Sequence, residues 1–206
     1  MSHPGSLDRT ALLPFVELRR GTTEARRIYA LRQDLLRSQQ SGHELLVDRL
    51  FCADWVNVVA FDDDDRIVFV RQWRFGTESF SLEVPAGVLH PGEDPVAGGL
   101  RELAEETGYA PVDGSAVRLL GAVRPNPAFM DNRSYVVLVP RARRVSEPHW
   151  DESEEIEILT IPRAEVAGLV GSSTMAAGRG ETPHAGQLDS ALSLVALHLA
   201  LHNDGS

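Results

Sequence analysis

One short segment, residues 87–109, constrains the fold of this chain more than any other part of it. Asp94 followed by Pro95 is typical of a helix start, because an aspartate side chain caps free backbone amides and proline suits the first turn. Gly108 is typical of a helix end, where the backbone often turns into the left-handed conformation. The segment therefore predicts a helix of about three turns between these two signals.

The predicted helix has two different faces. Apolar residues recur along one side at the spacing of a buried stripe. Glutamates three and four residues apart repel one another on the opposite side, at Glu102, Glu105 and Glu106. Arg101 can reach Glu105, but one guanidinium cannot neutralise three carboxylates. A hard divalent cation, which prefers oxygen ligands, is therefore the expected partner of this face.

A solvated acidic surface is the alternative for an arbitrary helix, but these residues belong to a longer pattern. That pattern contains Gly87, then Glu93 after five residues, and after seven more the run 101–108, which reads Arg-Glu-Leu-x-Glu-Glu-x-Gly. It resembles the Nudix box, the signature of Nudix pyrophosphohydrolases, with every fixed position filled. Tyr109 is a departure, since the family more often has an aliphatic residue there. The resemblance implies an α/β/α sandwich over most of residues 54–200.

Two flanking segments narrow the resemblance to the ADP-ribose pyrophosphatase branch of the family. They are residues 71–74, which read Arg-Gln-Trp-Arg, and residues 83–87, which read Glu-Val-Pro-Ala-Gly. The branch implies a Mg²⁺ site, with Mn²⁺ as a substitute, whose ligands match the backbone carbonyl of Ala86 and the carboxylates of Glu102, Glu105 and Glu106. Arg101 matches the arginine that orients these carboxylates, so Arg101 and Glu105 are also catalytic candidates.

The candidates for substrate binding follow from the same likeness and from the absence of lysine. All 20 basic residues of the chain are arginine, so arginine, backbone amides or metal must hold any phosphate. Arg74 matches a residue that contacts substrate phosphate, and Arg71 and Glu83 stand in the same two segments. Arg49 lies close to residues 45–47, where many relatives carry basic residues that bind substrate.

A second acidic cluster, residues 151–155, is a candidate source of the general base that activates water. In ADP-ribose relatives a loop at this place carries the catalytic glutamate; Glu152 matches it best and Glu154 second. A solvated acidic loop is the alternative interpretation. Trp150 precedes the cluster and could stack on a nucleobase, although a packing role is the expected one.

Composition limits the partners and the location of the protein. The net charge of −10 argues against sequence-independent binding of nucleic acid, which needs a cationic surface. Cys52 is the single cysteine, so no intrachain disulfide can form and a reducing, cytoplasmic location is expected. The first eight residues lack the basic and apolar parts of a signal peptide. The longest apolar run, 191–201, is shorter than a membrane span of about 20 residues, so no membrane partner is expected.

Strand patterns outnumber helices, which favours an α+β fold with a mixed sheet between helices. Residues 28–37 and 43–50 form the pattern of a β-hairpin. We expect residues 1–53 to form an N-terminal extension with this hairpin, and residues 54–206 to form the Nudix hydrolase domain. An isolated hairpin is marginal in water, and the resembled enzymes pair through this region, so a homodimer is expected. Further strands are expected at 56–61, 67–72, 79–84, 117–123, 134–139 and 156–161, helices at 163–170 and 188–201, and a loop at 171–187.

The combined interpretation is a Mg²⁺-dependent enzyme that cleaves the diphosphate of ADP-ribose or a related nucleoside diphosphate sugar. The products would be a nucleoside monophosphate and a sugar phosphate. ADP-glucose and GDP-mannose are alternative substrates, because residues 45–47 and 124–129 depart from the ADP-ribose enzymes. A non-catalytic Nudix-fold nucleotide sensor is the alternative from a different class, which the loss of a box glutamate would favour; every box glutamate is present.

Overall fold

A computed structural model describes residues 12–150, 155–170 and 188–203 of the chain. The chain forms two units. The first contains the residues up to Cys52 together with Asn126–Asp131, and the second contains Ala53–Pro125 and the residues from Asn132 onward. Within the described ranges, no helix combines the length and the hydropathy that crossing a membrane requires.

The first unit contains a four-stranded antiparallel sheet. Its strands are β1 (Phe15–Arg19), β2 (Glu24–Ala25), β3 (Ala30–Ser38) and β4 (Glu44–Phe51). β3 pairs with each of the others, and the paired β3 and β4 form the predicted N-terminal hairpin. β1 and β2 were not predicted from the sequence; they are only five and two residues long, and every residue in them is exposed.

Asp34 on β3 is fully buried in the first unit. Its carboxylate accepts hydrogen bonds from Arg32 Nε at 2.9 Å and from the Gly21 N–H at 3.0 Å, and it lies 3.5 Å from Arg49 Nη1. The hydrogen bonds from Arg32 hold the pKa of Asp34 below its ordinary value despite burial. A buried charge needs such partners, so the two arginines and the Gly21 N–H stabilise the ionised Asp34.

The elements of the second unit follow in chain order. Its described elements are β5 (Trp55–Ala60), β6 (Arg66–Arg74), β7 (Ser79–Glu83), β8 (Ala86–Val88), α1 (Pro95–Thr107), β9 (Tyr109–Pro111), β10 (Arg118–Val123), β11 (Ser134–Val139), β12 (Ala142–Arg144), β13 (Ile156–Pro162), α2 (Arg163–Leu169) and α3 (Ala191–Asn203). All six strands and both later helices expected from the sequence are present within a few residues. The predicted loop at 171–187 lies outside the described residues.

Two sheets form the centre of the second unit. The mixed sheet has the strand order β10-β11-β5-β8, in which β11 and β5 are parallel and the other pairs are antiparallel. The other sheet has the order β13-β6-β7 and is antiparallel. β9 and β12 form a short separate ladder.

The central strand β5 is buried on both sides, and helices cover both. Val58 belongs to an apolar cluster with Leu103 of α1, whereas its neighbour Val59 belongs to a second cluster with Leu197 of α3. Successive side chains of a strand point to opposite faces, so α1 and α3 pack on opposite sides of the sheet. The predicted α+β class, with a mixed sheet between helices, is confirmed.

Candidate active site

The box helix α1 begins and ends where its sequence predicts. Asp94 caps the start, because its Oδ1 accepts hydrogen bonds from the N–H groups of Val96 and Ala97, both at 3.0 Å. Gly108 ends the helix with φ 72°. A Cβ at this position would lie 2.0 Å from the carbonyl oxygen of Ser146, so backbone contact as well as conformation requires glycine. These two ends fix which face of α1 meets β8.

Two carboxylates of α1 lie against the backbone of β8. Glu106 is only 5% exposed, and its Oε2 accepts a hydrogen bond from the Ala86 N–H at 3.0 Å. Glu102 lies over Gly87, where an added Cβ would be 1.9 Å from the carboxyl carbon of Glu102. This close approach accounts for the glycine that opens the box pattern. The structure thus brings Glu102, Glu106 and the Ala86–Gly87 backbone together.

Arg101 links the carboxylates of α1 to the loop before it. Its Nε and Nη2 donate to the two oxygens of Glu93 at 2.9 and 3.0 Å. Its Nη1 donates to Glu102 at 2.8 Å and to Glu105 at 3.0 Å. The Glu105 side chain is 47% exposed, so it stands at the rim of the site. Arg101 therefore has the geometry that an orienting residue needs.

The contact between Arg101 and Glu93 also changes the acidity of the Glu93 carboxyl group. The hydrogen bonds from Arg101, with a further one from the His90 N–H, lower the pKa of Glu93 from 4.5 to about 2. The same bonds raise the pKa of Arg101. Glu93 and Arg101 therefore stay charged together over the whole neutral range.

We expect Glu93→Gln to remove a pH-dependent part of the stability. The pKa of Glu93 is lower in the folded protein (about 2) than the ordinary value of 4.5 expected after unfolding. Its ion pair therefore stabilises the fold fully above about pH 4.5, and this contribution disappears as the pH falls towards 2. Urea unfolding at neutral and acidic pH should show that the variant loses free energy of unfolding mainly at neutral pH. Glu165→Gln, at an exposed position of α2, is the control, and an equal loss at every pH contradicts the assignment.

A cavity of about 420 Å³ lies beside β8, and Arg74, Glu83 and Ala86 contribute to its lining. Arg74 donates from Nε and Nη2 to the two oxygens of Glu83, both at 2.7 Å. Burial raises the pKa of Glu83, but the hydrogen bonds from Arg74 outweigh burial and keep the pKa below its ordinary value. The pair is charged, and it presents a partly exposed arginine to the cavity beside the β8 backbone.

The remaining predicted site residues lie in other places. Arg71 is 2.9 Å from Glu157 of β13 and lines a separate depression with Phe80. Arg49 belongs to the first unit. Glu152 and Glu154 lie outside the described residues.

The structure shows two supporting contacts at the site that were not predicted from the sequence. Ser193 of α3 is fully buried, and its Oγ accepts a hydrogen bond at 3.2 Å from the N–H of Val84, two residues before Ala86. The Nε1 of Trp150 donates to the backbone carbonyl of Glu106 at 2.9 Å. The polar residue Ser193 within the apolar run 191–201 is the sequence feature that points to the first contact. Nothing in the sequence connects position 150 with the end of α1.

The donor atoms of this site suit a hard cation such as Mg²⁺. Glu102 and Glu106 supply carboxylate oxygens and Ala86 supplies a backbone carbonyl, while sulfur and imidazole are absent from this set. Across the described ranges, no group of three or more His, Cys, Asp or Glu side chains is arranged to hold a metal ion by itself. Mg²⁺ usually takes one or two protein carboxylates and completes its shell with water and phosphate oxygens, so two carboxylates fit this ion.

In this chain a mixed sheet lies between helices, and the helix α1 holds two carboxylates against the backbone of β8, beside a cavity that Arg74 lines. The model of the NUDIX domain family matches residues 54–176, which is more than half of the chain. The chain belongs to the Nudix family.

Individual relatives are similar over part of their length. The chain is 34% identical over 118 residues to the ADP-ribose pyrophosphatase of Bacillus subtilis (strain 168), a match that covers 57% of this chain and 62% of that protein. It is 34% identical over 102 residues to the ADP-sugar pyrophosphatase of Mus musculus, covering 47% of this chain and 45% of that protein. These matches span between 45% and 62% of the relatives.

One solved structure shares the fold over nearly the whole chain. The crystal structure of an ADP compounds hydrolase superposes with a TM-score of 0.72 over 94% of this chain and 95% of that one. At 21% sequence identity, this likeness establishes the architecture.

Proposed function

We propose that the protein is a Mg²⁺-dependent pyrophosphohydrolase that cleaves the diphosphate of ADP-ribose or a related nucleoside diphosphate sugar. The products are a nucleoside monophosphate and a sugar phosphate. The observation that carries this proposal is the contact of Glu102 and Glu106 with the β8 backbone, beside a cavity that contains Arg74. The likeness to an ADP-ribose pyrophosphatase and an ADP-sugar pyrophosphatase supports the substrate class.

Glu102, Glu106 and the Ala86 carbonyl are the proposed ligands of Mg²⁺, for which Mn²⁺ can substitute. When bound, the ion supplies a more acidic water and offsets negative charge on the diphosphate. The Ala86 N–H holds Glu106 in place, and Arg101 holds Glu102. Glu105, which also bonds to Arg101, is a third candidate ligand at the rim.

Arg74 is the proposed contact for substrate phosphate. Glu83 holds its guanidinium through two hydrogen bonds of 2.7 Å, so little side-chain freedom remains to be lost on binding. Glu83 acts through Arg74 in this proposal. Arg71 and Arg49 remain candidates for further contacts with the substrate.

The proposed general base is a carboxylate of the acidic cluster 151–155. Glu152 is the first candidate and Glu154 the second, on the strength of the family resemblance. Glu105 is the next candidate, because it stands partly exposed on the same helix as the proposed ligands. Whichever carboxylate acts must reach the attacking water within hydrogen-bond distance.

A substrate panel with identified products tests the proposed function. We expect kcat/KM to be highest for ADP-ribose, which yields AMP and ribose 5-phosphate, when compared with ADP-glucose and GDP-mannose. A higher value for one of the other two would correct the substrate but not the chemistry. Failure to cleave any of the three would contradict the enzymatic function and favour a nucleotide sensor.

We also propose a symmetric homodimer that forms through the first unit. This unit exposes large apolar side chains, among them Phe15 (53%), Ile28 (70%) and Leu46 (54%). Exposed apolar groups on a small sheet are stabilised when another surface covers them. A two-fold pairing of identical surfaces is the commonest closed arrangement.

Leu46→Glu should convert this dimer into a monomer, because a charge would enter the apolar contact. Light scattering at micromolar concentration measures the mass. Val145→Glu is the matched control, since Val145 is 68% exposed but belongs to the second unit. A wild-type protein that is monomeric and fully active would contradict the proposal.

We further infer a reducing, cytoplasmic location and no nucleic-acid partner. The chain has a single cysteine, Cys52, so no intrachain disulfide can form; burial raises the pKa of its thiol. The net charge of −10 opposes approach to a polyanion.

A further inference from the structure

The segment 145–150 lies along the C-terminal end of α1 and donates hydrogen bonds to it. The backbone N–H groups of residues 145 and 146 lie 2.8 and 3.3 Å from the carbonyl of Gly108. The N–H of His149 lies 2.8 Å from the carbonyl of Glu105. The last carbonyls of a helix have no donor inside the helix, so this segment supplies partners that α1 needs.

Trp150 adds a side-chain donor to the same contact. Its Nε1 donates to the Glu106 carbonyl at 2.9 Å, while 42% of the residue stays exposed. An indole N–H can only donate, so this bond selects one orientation of the ring. Glu106 is consequently held at both ends: Trp150 bonds its carbonyl, and the Ala86 N–H bonds its carboxylate.

We infer that Trp150 is a positioning residue for metal binding, acting through Glu106. This inference rests on the proposed function, in which the Glu106 carboxylate is a metal ligand. A ligand already held in place loses less freedom when the ion binds, and removal of such supporting partners commonly lowers metal affinity by about 10- to 100-fold. Trp150 bonds the backbone of Glu106 and not its carboxylate, so its effect is smaller.

The expected effect of removing the indole N–H is a loss of about fivefold in metal affinity. That corresponds to about 1 kcal/mol at 1.4 kcal/mol per tenfold change. Trp150→Phe and Trp150→Leu both remove this donor and keep an apolar side chain at the position. The KM for ADP-ribose at saturating Mg²⁺ should change by less than about twofold, because the bond from Trp150 goes to the backbone of Glu106 and not to Arg74, the proposed phosphate contact.

The test is titration with Mn²⁺ in the absence of nucleotide, with free Mn²⁺ measured by its EPR signal. Trp73→Phe is the matched control: Trp73 is 41% exposed, and its ring packs edge-on against Phe80 at 5.3 Å between centroids. Both Trp150 variants should bind Mn²⁺ about fivefold more weakly than the Trp73 variant and the wild type. Circular dichroism melts identify a temperature at which all variants are folded, and the titrations are run there.

Glu106→Gln distinguishes an error in the proposed metal site from an error in the role of Trp150. If that variant binds Mn²⁺ as tightly as the wild type, the proposed metal site is wrong, and the role of Trp150 is wrong with it. If Glu106→Gln weakens binding but the Trp150 variants match Trp73→Phe, the metal site stands and the role of Trp150 is wrong. Weaker binding in Glu106→Gln and in both Trp150 variants supports the inference.

Discussion

Glu106→Gln should lower kcat by at least about two decades, which corresponds to about 2.7 kcal/mol of transition-state stabilisation. Glutamine has the same shape, and its carbonyl oxygen can still accept the bond that the Ala86 N–H donates to Glu106 at 3.0 Å. The substitution removes the negative charge and one of the oxygens that a hard cation prefers. The chemistry should therefore change while the fold remains.

Initial rates with ADP-ribose and Mg²⁺ measure this effect, and thermal unfolding checks the fold. Glu147→Gln is the control. Glu147 lies just after β12, its side chain is 86% exposed, and its carboxylate is 2.8 Å from Arg144. That variant should keep the wild-type rate. A near-normal rate for Glu106→Gln would mean that this carboxylate is not a metal ligand.

Glu152→Gln or Glu154→Gln should cut kcat by about two to four decades while leaving metal affinity nearly intact, as expected for a general base. Both positions lie outside the described residues, so the expectation comes from the resemblance and from the path of the chain before them. His149 and Trp150 bond to the last turn of α1. The described residues just before the cluster therefore lie against the helix that carries the proposed ligands.

Glu157→Gln is the control for this pair of variants. Glu157 lies on β13, shortly after the cluster in the sequence. Its carboxylate is 2.9 Å from Arg71, so Glu157 is close to the cluster in sequence but forms an ion pair. It should retain the wild-type kcat. If neither cluster variant slows hydrolysis, the base is elsewhere, and Glu105 becomes the first residue to replace.

Local signals account for what the sequence predicts well. The limits of α1 follow from Asp94 and Gly108, because capping and left-handed backbone depend on a few neighbouring residues. The hairpin of β3 and β4 and the central strands follow from short-range patterns in the same way. Gly87 and Glu102 both belong to the box, but their contact was not predicted from the sequence and is seen only in the structure.

Contacts between distant segments are harder to predict. Arg71 and Arg74 read as one basic cluster in the sequence, but they are three positions apart on β6, and side chains of a strand alternate between its faces. Arg74 accordingly lines the cavity beside β8, whereas Arg71 lines the depression with Phe80. The bond from Trp150 to Glu106 joins residues 44 positions apart, and neither residue type indicates the other.

A single isotope experiment tests whether the protein hydrolyses the diphosphate and whether this hydrolysis needs a metal ion. ADP-ribose is incubated with the protein in ¹⁸O-water, with Mg²⁺ or with EDTA, and the products are followed by ³¹P NMR. We expect AMP and ribose 5-phosphate in the presence of Mg²⁺, with ¹⁸O in one of the two phosphates, and no hydrolysis in EDTA. Full hydrolysis in EDTA would contradict the proposed function, and so would failure to cleave ADP-ribose, ADP-glucose and GDP-mannose with Mg²⁺ present.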